Sequence, residues 1–364
     1  MTSLGTPLAD ILAQLIRSSG PMRLADFMAL ALGHPKHGYY TSRDPLGAGG
    51  DFITAPEVSQ MFGELLGLWI GASWLAQGAP KPFAVVELGP GRGTLMEDAL
   101  RALARVPGFQ DASSLHLVET SPVLRRAQAE KLPHAQHHDT IESLPTVPLF
   151  IIANEFFDAL PVRQFELNDT GWCERLVALD EKGEAAHFKI VLAPEPGFAP
   201  DDLPESCRAA AKGSVFEFSP ASLAIAEELG ERIATQGGAA AVIDYGHPKS
   251  APGDTLQAVK GHEYAHPLEA PGTADLTAHV DFEQLAGAFR RGGAATHGPV
   301  DQGRFLSNLG IDMRLKALSR NADEAQKAAL ASQVARLTSE EGMGTLFKVL
   351  GVTAPSEAAP EGFQ

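Results

Sequence analysis

The chain has 364 residues, 44% of them hydrophobic and 20% charged, the balance of a soluble protein with a sizeable core in one elaborated domain or two. Its 29 basic and 45 acidic side chains leave a net charge of −16, which excludes general attraction to nucleic acid or anionic lipid and suits a cationic ligand or a basic patch on a protein partner. Cys173 and Cys207 lie outside any CxxC pair, and no run approaches the roughly 18 apolar residues of a membrane span, so a disulfide scaffold, a cysteine zinc site and a membrane span are not expected.

LADILAQLIRSSG and RLADFMALAL carry apolar residues at helical spacing and break at Gly20-Pro21, which predicts two short helices. Asp10 and Asp26 among these residues fit neither a signal peptide nor an acid-poor transit peptide, so a cytosolic protein is expected. After the glycine-rich LGAGGDF, the stretch from Thr54 to Gln77 pairs Thr54 and Glu57 at capping-box spacing with Pro56 in the first turn, which predicts one long helix. From Phe83 onward short apolar runs alternate with helical stretches: FAVVEL, TLMEDALRALARV, LHLVE, SPVLRRAQAEKL, PLFIIA. Such alternation predicts βαβ units and a parallel sheet. Residues 162–192 break the rhythm as an antiparallel meander with turns at Asn168-Asp169 and Lys182-Gly183. A helix over SPASLAIAEELGERIATQ, a strand over AAAVIDYG, a helix-poor stretch to about 280, a helix over FEQLAGAFRRG, helical segments to about 340 and a closing strand at TLFKVLGV complete the chain.

VVELGPGRGTLMED is the most informative stretch. A buried strand ends in Glu87, Gly89, Gly91 and Gly93 follow at every second position, and a helix opens at Thr94. Glycines allow a tight turn and close approach of a ligand, and the helix start offers free N–H groups. The position three after Gly91 is Thr94, so a GxGxxG dinucleotide fingerprint is misplaced, and the pattern instead resembles the first motif of class I S-adenosylmethionine (SAM) methyltransferases. In those enzymes the acidic residue and the loop address the amino acid end of SAM. Glu119, ending the next strand, is placed to accept two ribose hydroxyls, and Asp139, after the third, to meet the adenine amino group. NAD remains the alternative ligand.

PLFIIA runs into NEFFDALP, residues 154–161, at the mouth of the fourth strand. Amino-methylating enzymes place (Asn/Asp)-Pro-Pro-(Tyr/Phe) there; NEFF keeps the first and last residue types and lacks both prolines. Asn154, Glu155 and Asp158 are the candidate catalytic residues, the two carboxylates matching the donor fork of a guanidinium, and Phe156 and Phe157 the candidate substrate-binding rings. Asn154 also counts among the cofactor contacts, with Glu87, the three glycines, Thr94, Glu119 and Asp139. A helix cap with both rings in the core is the competing reading.

GDFITAPEVSQMFGE, VVELGPGRG, NEFFDALPVRQF, VIDYG and DLTAHVDF, in this order, resemble the MidA family of class I methyltransferases, and the match runs from about residue 20 to about 350. The resemblance implies a SAM-dependent protein-arginine methyltransferase. Mitochondrial members are complex I assembly factors that methylate an arginine of a complex I subunit, so the implied partner is such a subunit or a bacterial equivalent, met in the cytoplasm or, in a eukaryote, the mitochondrial matrix. Residues 47–54 are then expected to belong to a lid over SAM, and His279 of DLTAHVDF to reach the substrate cleft, while Asp281, followed by Gln284, reads as a helix cap. HEYAH at 262–266 matches a zinc-protease string, but Gly261 and Pro267 flank it, so a polar loop is expected; His134, His137 and His138 read likewise as part of a loop-to-strand segment, and no metal is assigned.

The expected fold is α/β: a Rossmann-like, doubly wound, mostly parallel sheet with an N-terminal helical segment and a β-rich insertion on the substrate side. Residues 1–80 form the helical segment and lid packed on the core, 81–160 and 213–350 the SAM-binding core, 161–212 the meander insertion and 351–364 a tail. A noncatalytic assembly factor that keeps the fold, or a small-molecule methyltransferase, is the alternative function.

Overall fold

The computed structural model describes residues 5–42, 54–182, 186–199 and 203–364. The expected lid at 47–54 therefore lies outside the described residues except for Thr54, as does Gly183 of the second meander turn. Central strands are numbered in chain order: β1 (Phe83–Leu88), β2 (Ser113–Val118), β3 (Gln136–His138), β4 (Leu149–Asn154), β5 (Gly238–His247), β6 (Ala295–Asp301) and β7 (Phe347–Thr353). They lie in the order β6-β7-β5-β4-β1-β2-β3. The run from β5 to β3 is parallel, and β7 is antiparallel to both neighbours.

Every residue of β1 and of β4 is buried, because the sheet is covered on both faces and a strand so placed needs apolar side chains at odd and even positions alike. Phe83, Val85, Phe150 and Ile152 point into one layer with helices Gln60–Ala76 and Thr94–Leu103. Ala84, Val86, Ile151 and Ala153 point into the other, with Pro220–Gln236 and Phe282–Arg291. The chain leaves β1 toward β2 on one side and β4 toward β5 on the other, so a crevice opens beyond the carboxyl ends of β1 and β4.

Several expectations are corrected. The helix from Thr54 is two helices, Ala55–Val58 and Gln60–Ala76, because Ser59 is extended and its hydroxyl caps the second by accepting from Met61 N. Thr54 makes no side-chain cap, since Glu57 turns instead to Thr94. Helices Pro7–Ser19 and Leu24–Gly33 pack on the meander and on the small sheet of Gln257–Lys260, Glu263–Ala265 and Asp275–Thr277, not on the central sheet: Leu12, Phe27 and Met28 share a core with Val177, Phe188 and Leu276. Residues Met22–Arg23 pair antiparallel with strand Trp172–Asp180 of the meander. The insertion's sheet extends past 212, as Val215–Phe218 pairs with Arg163–Leu167. At the other end, β7 runs to Thr353 and the following residues dock: Trp69 Nε1 donates to Glu361 O at 3.1 Å and Asn308 Nδ2 to Gly362 O at 3.2 Å. HEYAH forms the hairpin strand Glu263–Ala265 rather than a helix or loop.

Helices Gln60–Ala76 and Thr94–Leu103 touch nearly backbone to backbone. A methyl group on Gly67 would sit 2.5 Å from Ala99 O, and one on Gly63 2.7 Å from Leu95 O. Gly67→Val is expected to lower unfolding free energy by about 2 kcal/mol, through overpacking of a close contact. Gly287→Ala, facing only Arg291 Nη1 at 3.7 Å, is expected to raise stability by up to about 1 kcal/mol. Urea midpoints of the two variants check both signs.

Candidate active site

The crevice is a cleft of about 530 Å³ whose walls come from the ends of β1, β2, β4 and β5, from Asp139, from residues 54–57 and from the N-terminal and small-sheet layers. At its floor β1 hands over to the glycine loop, where Gly89, Gly91 and Gly93 adopt φ of +61°, +53° and +77°. Gly93 then opens helix Thr94–Leu103. The Phe156 ring lies on this loop, 3.0 Å from where a Cβ on Gly89 would stand.

Two acidic strand ends meet here. Glu87 is buried and its Oε2 has no hydrogen-bond partner among the described residues. Burial and the neighbouring Glu119 push its carboxyl up to about 8. Glu119 Oε1 accepts from Ser121 N at 2.7 Å and Oε2 from Gln128 Nε2 at 3.3 Å. Gln128 Nε2 also donates to Gly91 O at 2.6 Å, so helix Pro122–Lys131 ties the loop to the end of β2. Asp139 sits at the rim, its side chain 80% exposed and paired with Arg125 at 2.6 Å. The Thr94 hydroxyl donates to Glu57 Oε1 at 2.8 Å and accepts from Lys131 at 2.7 Å, so its oxygen serves the rim.

At the end of β4 the buried Asn154 keeps Oδ1 without a partner among the described residues, while its Nδ2 donates to Glu155 Oε1 at 3.2 Å. Glu155 has φ +51° and accepts Ala55 N at 3.2 Å on the same oxygen. Its burial, aggravated by Asp158, pushes its carboxyl up to about 7. Asp158 is also raised by burial, and the Tyr245 hydroxyl donates to it, yet its Oδ1 has no partner among the described residues. Asp244, with no exposed surface, accepts Phe157 N at 3.1 Å and Asp158 N at 3.2 Å on one oxygen and Tyr245 N at 3.0 Å on the other.

Two candidate substrate contacts are corrected. Phe157 turns into the core with Ala153, Phe282 and Phe289, because the turn after Glu155 lets only one of the two rings face the cleft. His279 lies behind Tyr245, their rings edge to face at 5.5 Å, and lines a separate small cavity with Phe157. The chain leaves strand Asp275–Thr277 at Ala278, whose N–H goes to Asp158 O, and this turns His279 away. Asp281 caps its helix as expected, accepting Glu283 N and Gln284 N. Sequence reasoning missed Tyr40, Asp275, Thr277 and Tyr245, which line the cleft, and Asp244, which braces it. They come from three stretches far apart in the chain, at residue 40, residues 244–245 and residues 275–277, and only the fold brings these together.

Buried acceptors without partners among the described residues at Glu87 and Asn154, beside the acid at Glu119, fit a ligand that brings ammonium and hydroxyl donors, which the amino acid and ribose of SAM do. A family model described as "Putative S-adenosyl-L-methionine-dependent methyltransferase" matches residues 65–300. The chain is 37% identical over 376 residues to protein arginine methyltransferase NDUFAF7, mitochondrial, of Danio rerio, covering 96% of this chain and 88% of the relative. It is 39% identical over 345 residues to the Homo sapiens protein of that name, covering 88% and 77%. The crystal structure of a Burkholderia thailandensis protein bound to S-adenosyl-homocysteine is 28% identical, superposes with a TM-score of 0.84, and covers 99% of this chain and 95% of that one. The chain therefore belongs to this family of SAM-dependent methyltransferases, with SAM as its cofactor.

Proposed function

We propose that the chain methylates an arginine of a protein substrate, a respiratory complex I subunit or its bacterial equivalent, in the bacterial cytoplasm or the mitochondrial matrix. The observation that carries this reading is the pair of carboxyls at the cleft, the half-buried Glu155 and the buried Asp158, neither of which is paired with a lysine or arginine among the described residues. Burying acids without a cation is costly, and both respond by holding their protons more tightly. A guanidinium removes that cost, since its planar fork offers several N–H donors to two acceptors at once. The curated relatives named as protein arginine methyltransferases support the same acceptor.

In this reading Glu87 and the glycine-loop N–H groups hold the amino acid end of SAM, Glu119 its ribose and Asp139, at the rim, its adenine. SAM supplies an electrophilic methyl group. Asn154, Glu155 and Asp158 orient the guanidinium so that one nitrogen faces the cofactor, and Phe156 walls the cleft against water. An arginine side chain has a pKa above roughly 12, so a proton must leave during or after transfer, and Glu155, poised near 7, is the residue suited to take it.

Calorimetry and transfer of labelled methyl groups to arginine peptides test this. Gly91→Val forces a side chain onto φ +53° and is expected to abolish SAM binding. Glu155→Gln should keep SAM affinity within about threefold and lower kcat/KM for the peptide by about 100-fold or more; an unchanged kcat/KM rules out the clamp. If the variant loses methylation yet still supports complex I assembly, the noncatalytic role gains ground.

The pH profile gives a second check. Only ionised Glu155 can clamp the guanidinium, and its carboxyl is raised, so the clamp is lost as pH falls through about 7. Wild-type kcat/KM should rise about tenfold per pH unit below that point and level off above it, and Glu155→Gln should lack the rise.

A further inference from the structure

Glu119 is held by the strand beside it and by the helix that follows it. Its N–H donates to His138 O at 3.0 Å, which closes the end of β2 onto β3, and its carbonyl accepts Arg125 Nε at 2.6 Å. Gln128, with no exposed surface and three residues after Arg125 on helix Pro122–Lys131, reaches its carboxylate. The Gln128 amide makes three contacts at once. Its Nε2 donates to Gly91 O at 2.6 Å and to Glu119 Oε2 at 3.3 Å, and its Oε1 lies 2.9 Å from His137 Nε2.

These contacts fix which way the amide points. Turned over, it would set its carbonyl oxygen against Gly91 O and the Glu119 carboxylate, all acceptors with no hydrogen to share. With the nitrogen toward the glycine loop, Oε1 is an acceptor, so the hydrogen between it and the histidine belongs to His137 Nε2. Burial, with Arg125 and His138 nearby, holds the His137 pKa below its ordinary value, so the ring is neutral and has a single N–H to give. Pairing of His137 with Leu117 across β3 and β2 fixes where the ring stands. Neither His137 nor Gln128 is among the described residues that line the cleft, so any effect on a ligand passes through the amide.

We propose that His137 is a positioning residue for the cofactor: by holding the Gln128 amide in one orientation, it keeps the Glu119 carboxylate and Gly91 in the arrangement that receives the ribose of SAM. This rests on the reading of Glu119 as the ribose partner. Removing the histidine N–H leaves Gln128 Oε1 a buried acceptor without its donor, a cost relieved by turning the amide away and so releasing Glu119. A loosened Glu119 accepts ribose hydroxyls less well, while the rest of the ligand is gripped as before.

The test is calorimetric titration of SAM, S-adenosyl-homocysteine and the 2′-deoxy analogue of the latter into wild type and variants, with urea midpoints to establish folding. His137→Leu is expected to weaken SAM about tenfold and to shrink the preference for S-adenosyl-homocysteine over its deoxy analogue by about threefold or more. His137→Gln, whose amide presents an N–H from nearly the same place, should bind SAM within about threefold of wild type. Gln128→Met removes the strut at similar length, and adding His137→Leu to it should weaken SAM by less than about twofold more, because the two side chains act as one unit. A folded His137→Leu that binds SAM within about twofold of wild type overturns the inference, as does one that weakens both homocysteine ligands equally, or one whose effect adds in full to that of Gln128→Met. If His137→Leu does not fold, His137→Ala is judged by the same criteria; if Gln128→Met does not fold, the ribose comparison decides. Wild type that binds the two homocysteine ligands alike overturns the reading of Glu119 and this inference with it, whereas a wild-type preference that His137→Leu keeps overturns this inference alone.

Discussion

The Asp244 carboxyl group is the fastening on which the acceptor end depends. It sits in β5 just past that strand's last pairing with β4 and accepts three backbone N–H groups, two of them from the turn that leaves β4. Without it, the Phe157 and Asp158 amides would be buried donors lacking partners, and the turn would have no reason to hold its shape. That shape is not free: Glu155 occupies the left-handed region at φ +51°, which costs a residue with a Cβ on the order of 1 kcal/mol. Asp244 also crowds Asp158 and Glu155 with like charge, and its own carboxyl is raised well above the ordinary range by burial and by those two neighbours. Three acids crowded together make a locally unfavourable arrangement, of the sort expected where a cationic guest is to be received.

The rest of the fold offsets this. Two apolar layers clamp β1 and β4 from both faces, and the close contact at Gly67 brings the helix after residue 60 flush against the one that starts at the glycine loop. Gln128 then ties that loop to the end of β2 through Gly91 O. Rigid strands thus present the cofactor residues, while the acceptor residues ride on a turn, a short helix and an added sheet.

Much of this was legible in the residues. Strands buried on both faces read as unbroken apolar runs, so FAVVEL and LFIIA announced β1 and β4, and the glycine spacing announced the loop between strand and helix. Glu87, Glu119 and Asn154 were findable because each ends a parallel strand, where such a fold puts its ligands. Periodicity failed where a side chain overrides it. Ser59 splits a helix that propensity would continue, and Glu155 reverses the turn so that Phe156 and Phe157 part company. Tyr40 gave no local signal, and Asp244, Asp275 and Thr277 lie in VIDYG and DLTAHVDF without any spacing that assigns them a role, since their meeting depends on how three layers stack.

The layering of the N-terminal helices has a consequence for how such a protein can change. Leu12, Phe27 and Met28 belong to a core shared with the meander and the small sheet and separate from the cores on either face of the central sheet. Side chains there can be repacked, and the wall that meets the acceptor thereby reshaped, without disturbing the strands that carry Glu87 and the glycine loop. The architecture therefore uncouples drift in substrate choice from upkeep of the cofactor site, and lets a lineage explore new acceptors around an unaltered catalytic frame.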